Sequence, residues 1–217
     1  MSTMARKVMG RFYAKADGSP ERLPWHRETP EPILAKAVAA RGARGRALDL
    51  GCGAGLFSAW LARQGMGVTG IDLFPEAIAM ARATAVKQGV EVELVCGDLF
   101  TFAPAAPFDL VLDSGCLHAL VGGDLDLYKA QLLRLLAPGG TFVLGHWGKR
   151  HAFDWRPIGP RRRTEAEIQA LFAPELTLRD KDVADFAAPL PFGPMVRGIG
   201  YWFERAKTPA KTSGGAR

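Results

Sequence analysis

From residue 46 onward, short apolar runs alternate with longer stretches whose apolar residues recur at helical spacing. The runs ALDL (47–50), GVTGID (67–72), VELVCGD (92–98), FDLVLD (108–113) and TFVLGHW (141–147) predict buried strands. Between them, residues 56–65, 75–88 and 125–137 predict helices, the second with Pro75 at a favourable first-turn position. A Thr164–Glu167 capping box opens a further helix over 164–172. Two last strands are predicted at 176–186 and 196–205, with a PLPFGP break between them in place of a helix. Strands alternating with helices make a mostly parallel sheet covered on both faces. The missing final helix adds an antiparallel hairpin at one edge, so the fold class is α/β, a doubly wound sheet with a reversed edge strand.

Ahead of this pattern, residues 31–41 have helical spacing, and Gly42 and Gly45 then loosen the chain. Residues 1–30 read as polar and irregular, broken by Pro20, Pro24 and Pro30, yet they hold Phe12, Tyr13 and Trp25. Those aromatics predict that the segment packs on something, and residues 1–30 are taken as an N-terminal lid segment. Residues 31–205 form the main domain, and 206–217 have the composition of a flexible basic tail.

Composition narrows the class. A 217-residue chain that is 48% apolar suits one domain with a sizeable core. No apolar run is long enough to span a membrane, and no apolar stretch follows the charged N-terminus as in a secretory signal. Cys52, Cys96 and Cys116 are widely separated, without zinc or disulfide spacing, which makes a reducing cytoplasm the natural compartment. The net charge is +6, but four of the basic residues, Arg205, Lys207, Lys211 and Arg217, are the only charges after Glu204, which leaves +2 for residues 1–204. The other basic cluster, Arg161 to Arg163, reads as solvated more readily than as an anion site. This is a poor footprint for a nucleic acid, so none is expected as a partner.

The strongest motif is Asp49-Leu50-Gly51-Cys52-Gly53-Ala54-Gly55, where a strand passes into a helix. Glycines there let the backbone turn tightly and approach a ligand. Asp72 ends the second strand, seventeen residues past Gly55, where a carboxylate can accept both hydroxyls of a ribose. Asp98 ends the third, placed to accept from an adenine amine while Leu99 packs on the ring. Each alone reads equally as a cap or turn aspartate; three acids at successive strand ends do not.

These motifs, ALDLGCGAG, GIDLF, CGDLF, FDLVLDSG and LLAPGGTFVLGHW, resemble those of the class I S-adenosylmethionine (SAM)-dependent methyltransferases across residues 47–147. The resemblance implies a Rossmann-like, seven-stranded sheet with SAM across its carboxyl edge. It places Asp49, Gly51, Cys52, Gly53 and Gly55 along the methionine moiety, Asp72 and Leu73 at the ribose, and Asp98 and Leu99 at the adenine. Asp113 falls near the amino group and the transferable methyl. A finer similarity, carried by Asp113-Ser114-Gly115-Cys116-Leu117-His118, LPWH (23–26) and GPRRRTEAEI (159–168), is to the small bacterial thiopurine, thiol, halide and tellurite methyltransferases.

Methyl transfer from a sulfonium is an in-line displacement that needs alignment and exclusion of water. A soft nucleophile such as a thiol needs little else, whereas a phenol or amine calls for a base. His118 stands as either that base or a loop-orienting residue, and with Asp113 is the catalytic candidate. Tyr13, Trp25, His118, His146 and Trp147 are the acceptor-binding candidates, Tyr13 and Trp25 with His26 being either a lid or a surface brace. Cys116 reads as packing. No metal is expected, and no second acid is visible at the pocket edge. The favoured acceptor is a small thiol; the alternatives are an O- or N-methyl acceptor, or a SAM-binding scaffold without catalysis. GCGAG followed by Leu56 lacks the last glycine of the NAD fingerprint, and the chain is expected as a monomer or homodimer.

Overall fold

The computed structural model describes residues 3–151, 154, 160–187 and 195–207. The expected PLPFGP break and nearly all of the basic tail lie outside the described residues. Seven strands form one sheet in the order β3-β2-β1-β4-β5-β7-β6. They are β1 (Arg46–Leu50), β2 (Gly67–Asp72), β3 (Glu93–Cys96), β4 (Phe108–Asp113), β5 (Leu136–Gly148), β6 (Leu176–Phe186) and β7 (Val196–Arg205). The first five run parallel, and β7 pairs antiparallel with both β5 and β6. The chain order reverses between β1 and β4, the point at which doubly wound sheets open a ligand crevice.

Among the described residues six α-helices flank the sheet: α1 (Thr3–Ala16), α2 (Pro32–Arg41), α3 (Leu56–Arg63), α4 (Pro75–Gln88), α5 (Asp124–Leu135) and α6 (Glu165–Phe172). Local chemistry sets their ends. Pro75 starts α4, which Gly89 closes in the left-handed region at φ +64. Thr164 and Glu167 complete the capping box of α6. Alternation along the strands sorts two cores. Ala47, Leu110, Leu112 and Val143 bury against α2 and α3, whereas Leu48, Leu50, Val111 and Phe142 face α5 and α6.

The N-terminus departs from expectation. Residues 3–16 are helical, not irregular, because all three prolines lie beyond that stretch. Within α1, Tyr13 and Ala16 pack with Ala77 and Met80 of α4 and with Ala54 of the glycine loop. Strand β5 is longer than predicted, since Leu136 already pairs with Phe108, and the register then shifts before Thr141 pairs with Leu110.

Candidate active site

The loop after β1 is built by its glycines. Gly51, Gly53 and Gly55 have φ of +66, +53 and +75, values that other residues seldom adopt. A Cβ on Gly55 would stand 2.7 Å from Ala81 Cβ, so this glycine also lets α4 pack closely. Asp72 ties the loop to β2: its carboxylate accepts from the backbone N–H of Gly53 at 2.9 Å and of Phe74 at 3.0 Å. Asp49 lies 3% exposed under the loop and accepts from Ser58 Oγ at 2.6 Å. Burial pushes the Asp49 carboxyl up to about 7 against that hydrogen bond, with the neighbouring Asp72 and Asp113 adding to the rise.

Asp98 keeps one oxygen on the backbone N–H of Phe100 at 3.0 Å and is only partly buried, so its other oxygen has room for a ligand. Backbone N–H of Gly97 bonds the Asp72 carbonyl, which sets the β3 loop beside the β2 loop. Leu99 packs on the core, and its carbonyl accepts from Gln131 Nε2 at 2.6 Å. Leu73 is half-buried beside Asp72. Cys52 is buried against Ile78 and Ala81, so only its backbone borders the crevice. The glycine loop, the Asp72 carboxylate and Asp98 thus stand together at the carboxyl edge of β1, β2 and β3, a set of donors and acceptors compatible with SAM.

Asp113, the last residue of β4, is tied into the loop that follows it. It is 0% exposed, and its oxygens accept from the backbone N–H groups of Gly115, Cys116 and Leu117 and from Tyr128 Oη at 2.5 Å. Those four bonds hold it as the anchor of the β4 loop. Within that loop the Cys116 thiol donates to the Leu50 carbonyl at 3.2 Å, a packing role.

His118 follows in a single helical turn. Its Nε2 accepts from the Trp147 backbone N–H at 2.7 Å, and its ring lies 4.4 Å from that of His146. Burial, with Arg163 second, pushes His118 down to about 3, so it is neutral with its proton on Nδ1. His146 is 2% exposed, lies below the ordinary range for the same first reason, and has no partner on either nitrogen among the described residues. The arginine run is not the solvated cluster that was expected. Arg163 donates to the carbonyls of Leu117 and Leu120 and so braces the turn that carries His118, while Arg162 forms a buried pair with Asp154. Arg161 is the exposed member.

At the front of the crevice, Tyr13 is 3% exposed and its hydroxyl lies 3.4 Å from where a Gly53 Cβ would stand. Trp25 is 39% exposed and braces the edges of Phe12 and Tyr13 at 5.4 and 5.7 Å. Trp147 meets Phe186 edge-on at 5.9 Å, and Arg27 lies over the same Phe186 ring.

Sequence reasoning missed Glu31. It pairs with Arg27 at 3.1 Å and rests against Gly145, where a Cβ would stand 2.6 and 2.7 Å from its two oxygens. The expectation of no second acid at the pocket edge is therefore overturned. Its only sequence signal was the i,i+4 spacing of Arg27 and Glu31 ahead of Pro32.

A doubly wound sheet carrying a glycine loop and acids at successive strand ends is an architecture suited to a nucleoside-containing cofactor. The chain matches the methyltransferase domain family over residues 47–140. It is 34% identical over 193 residues to a ubiquinone biosynthesis O-methyltransferase of Xylella fastidiosa, covering 82% of this chain and 74% of that one. A solved structure concerned with conversion of a disulfide bond into a thioacetal group during echinomycin biosynthesis is 27% identical, with a TM-score of 0.71 and coverage of 90% and 91%. A Burkholderia thailandensis 1,6-didemethyltoxoflavin-N1-methyltransferase, solved with S-adenosylhomocysteine bound, is 24% identical, with a TM-score of 0.69 and coverage of 94% and 90%. The chain belongs to the class I SAM-dependent methyltransferases. It is an enzyme that uses SAM as methyl donor and acts on a small molecule.

Proposed function

We propose that the acceptor is a small soft nucleophile, favouring a thiol, methylated at the carboxyl end of β4 and β5. The observation that carries this reading is the pair of neutral imidazoles, His118 and His146, beside Trp147. An aromatic-lined strand end whose imidazoles are neutral suits a weakly hydrated sulfur better than a hydrated oxyanion. The sulfur chemistry attached to the echinomycin neighbour supports the same choice. SAM supplies an electrophilic methyl carbon; the chain's part is to hold, align and dry the reactants.

In this reading Asp49, Gly51, Cys52, Gly53 and Gly55 border the methionine moiety, Asp72 and Leu73 the ribose, and Asp98 and Leu99 the adenine. Asp113 contributes by shaping the loop, and His118 by fixing Trp147 and His146 rather than by taking a proton. Residues 1–30 form a lid in which Tyr13 closes over the glycine loop and Trp25 braces it. The reaction uses no metal and no nucleic acid, in a cytoplasmic monomer or homodimer.

A hydroxyl acceptor is the second reading, favoured by the 34% identical O-methyltransferase. Incubation with labelled SAM and a panel of thiols, phenols, amines and halides tests both. Label on thiols supports the first reading, and label confined to phenols or amines ends it.

A further inference from the structure

We infer that Glu31 takes the acceptor's proton during methyl transfer, an assignment that builds on the thiol reading above. The residue sits at the N-terminus of α2, and its carboxylate is carried onto the sheet face at Gly145. Gly145 directly follows Leu144, the partner of Asp113 at the last position of β4. The carboxylate thus lies level with the strand end where the methyl group is to be transferred. Space for it is made by a cross-strand glycine pair: Gly145 opposes Gly200 of β7, and a Cβ on Gly200 would collide with Asp182. Two carboxylates, from α2 and β6, occupy the hollow that these glycines leave.

The surroundings suit a proton acceptor. Arg27 is the hydrogen-bond partner of Glu31, on Oε1, and Oε2 is left for another group. Burial pushes the Glu31 carboxyl up to about 7; Arg27 opposes the rise, and Asp182 and Asp113 add to it. The remaining charges on β6 and β7 are engaged elsewhere: Asp180 with Lys36, Lys181 with Glu165, Asp185 with Arg197, Glu204 with Arg179, and Arg205 with the carbonyls of Leu133 and Leu136. A second observation points to a ligand at this strand end. His146, the residue after Gly145, projects from the opposite face of β5 and is buried with neither nitrogen bonded among the described residues, so the same strand end keeps a polar demand that an acceptor can meet.

In the step, the thiol S–H bond breaks and its proton passes to Glu31. The acceptor sulfur bonds the methyl carbon as the methyl–sulfonium bond breaks, and that electron pair stays on the donor sulfur to give S-adenosylhomocysteine. Glu31 then returns its proton to solvent. Glutamate with a carboxyl near 7 is well matched to a thiol that ionises near pH 8.5.

The test is the pH profile of kcat/KM. With wild-type enzyme and a series of alkyl thiols of graded acidity, the limb should rise near pH 7 whatever the thiol. Glu31→Gln should lower transfer to a weakly acidic alkyl thiol by on the order of a hundredfold at pH 7. The loss should shrink as the thiol's own acidity rises, and the limb should move to the thiol's own ionisation. Glu31→Asp should recover part of the rate. A wild-type limb that tracks each thiol, or a Glu31→Gln limb left in place, overturns the assignment even if the variant is poorly folded in one assay. Activity on phenols alone ends the thiol reading; a displaced limb with a phenol still upholds Glu31, and an undisplaced one overturns it.

Discussion

The side chains that the crevice uses are held by backbone donors, which lets single substitutions separate binding from support. Asp72 accepts from the Gly53 and Phe74 N–H groups, and those bonds fix the direction of its remaining lone pairs. Asp72→Ala removes both the ribose acceptor and the tie on the glycine loop. It should weaken SAM binding by roughly 1.5–3 kcal/mol; calorimetry showing full affinity in a folded variant would sink the ribose assignment. His118 differs because its accepting nitrogen is already occupied by the Trp147 N–H. His118→Ala leaves that amide without its acceptor, so a loss of about 1–3 kcal/mol of stability is expected. Methyl transfer to a thiol should fall only about tenfold, since alignment carries most of the rate. A drop of a hundredfold or more on a hydroxyl substrate would instead restore His118 as the base.

At the scale of elements, α1 joins the lid question to stability. Tyr13 of α1 is buried over Gly53, and Ala16 packs on α4, so the helix is part of the crevice wall. Deleting residues 1–30 should suppress methyl transfer more strongly than it lowers the melting temperature, and a truncated enzyme with full turnover would reduce these aromatics to bracing. The helix was hidden because Pro20, Pro24 and Pro30 punctuate the segment downstream, and α1 has no acidic residue in its first turn to announce its start. Where periodicity and caps agree, the reading was close: α4, β2, β4, β6 and β7 have the expected bounds. The glycine loop and its acids were legible because one strand-to-helix turn holds them in sequence. Glu31, Asp182 and Gly145 were not, since only the packing of α2 on β5, β6 and β7 brings positions so far apart together. Asp113 was legible as a strand-end acid, but its four internal donors belong to the fold of the following loop.

At the scale of the whole molecule, the crevice gathers carboxyls that burial holds protonated to unusually high pH. Asp49 titrates near 3.9 when unfolded and about 7 when folded, so the folded state binds its proton more tightly. The stabilisation this gives is complete below about pH 4 and is lost as pH rises through 7. Glu31 acts in the same direction. His118 acts in the other: held at about 3 when folded, it contributes above its unfolded value near 6.5 and loses that as pH falls toward 3. The two effects oppose each other between about pH 4 and 6.5, so wild-type stability alone separates them poorly, and a neutral isostere is needed. Asp49→Asn keeps an oxygen to accept from Ser58 and removes the charge. The SAM-free variant should melt higher than wild type at pH 8, by up to a few kcal/mol of stability, and the difference should close toward pH 4, where wild-type Asp49 is itself neutral. SAM brings a sulfonium and an ammonium to the loop above Asp49 in the proposed pose, which favours the ionised carboxylate. The melting shift produced by SAM should therefore grow from pH 6 to pH 8 in wild type and grow less in Asp49→Asn. Scanning calorimetry at the two pH values decides it: equal growth in both proteins would remove Asp49 from the methionine end of the site.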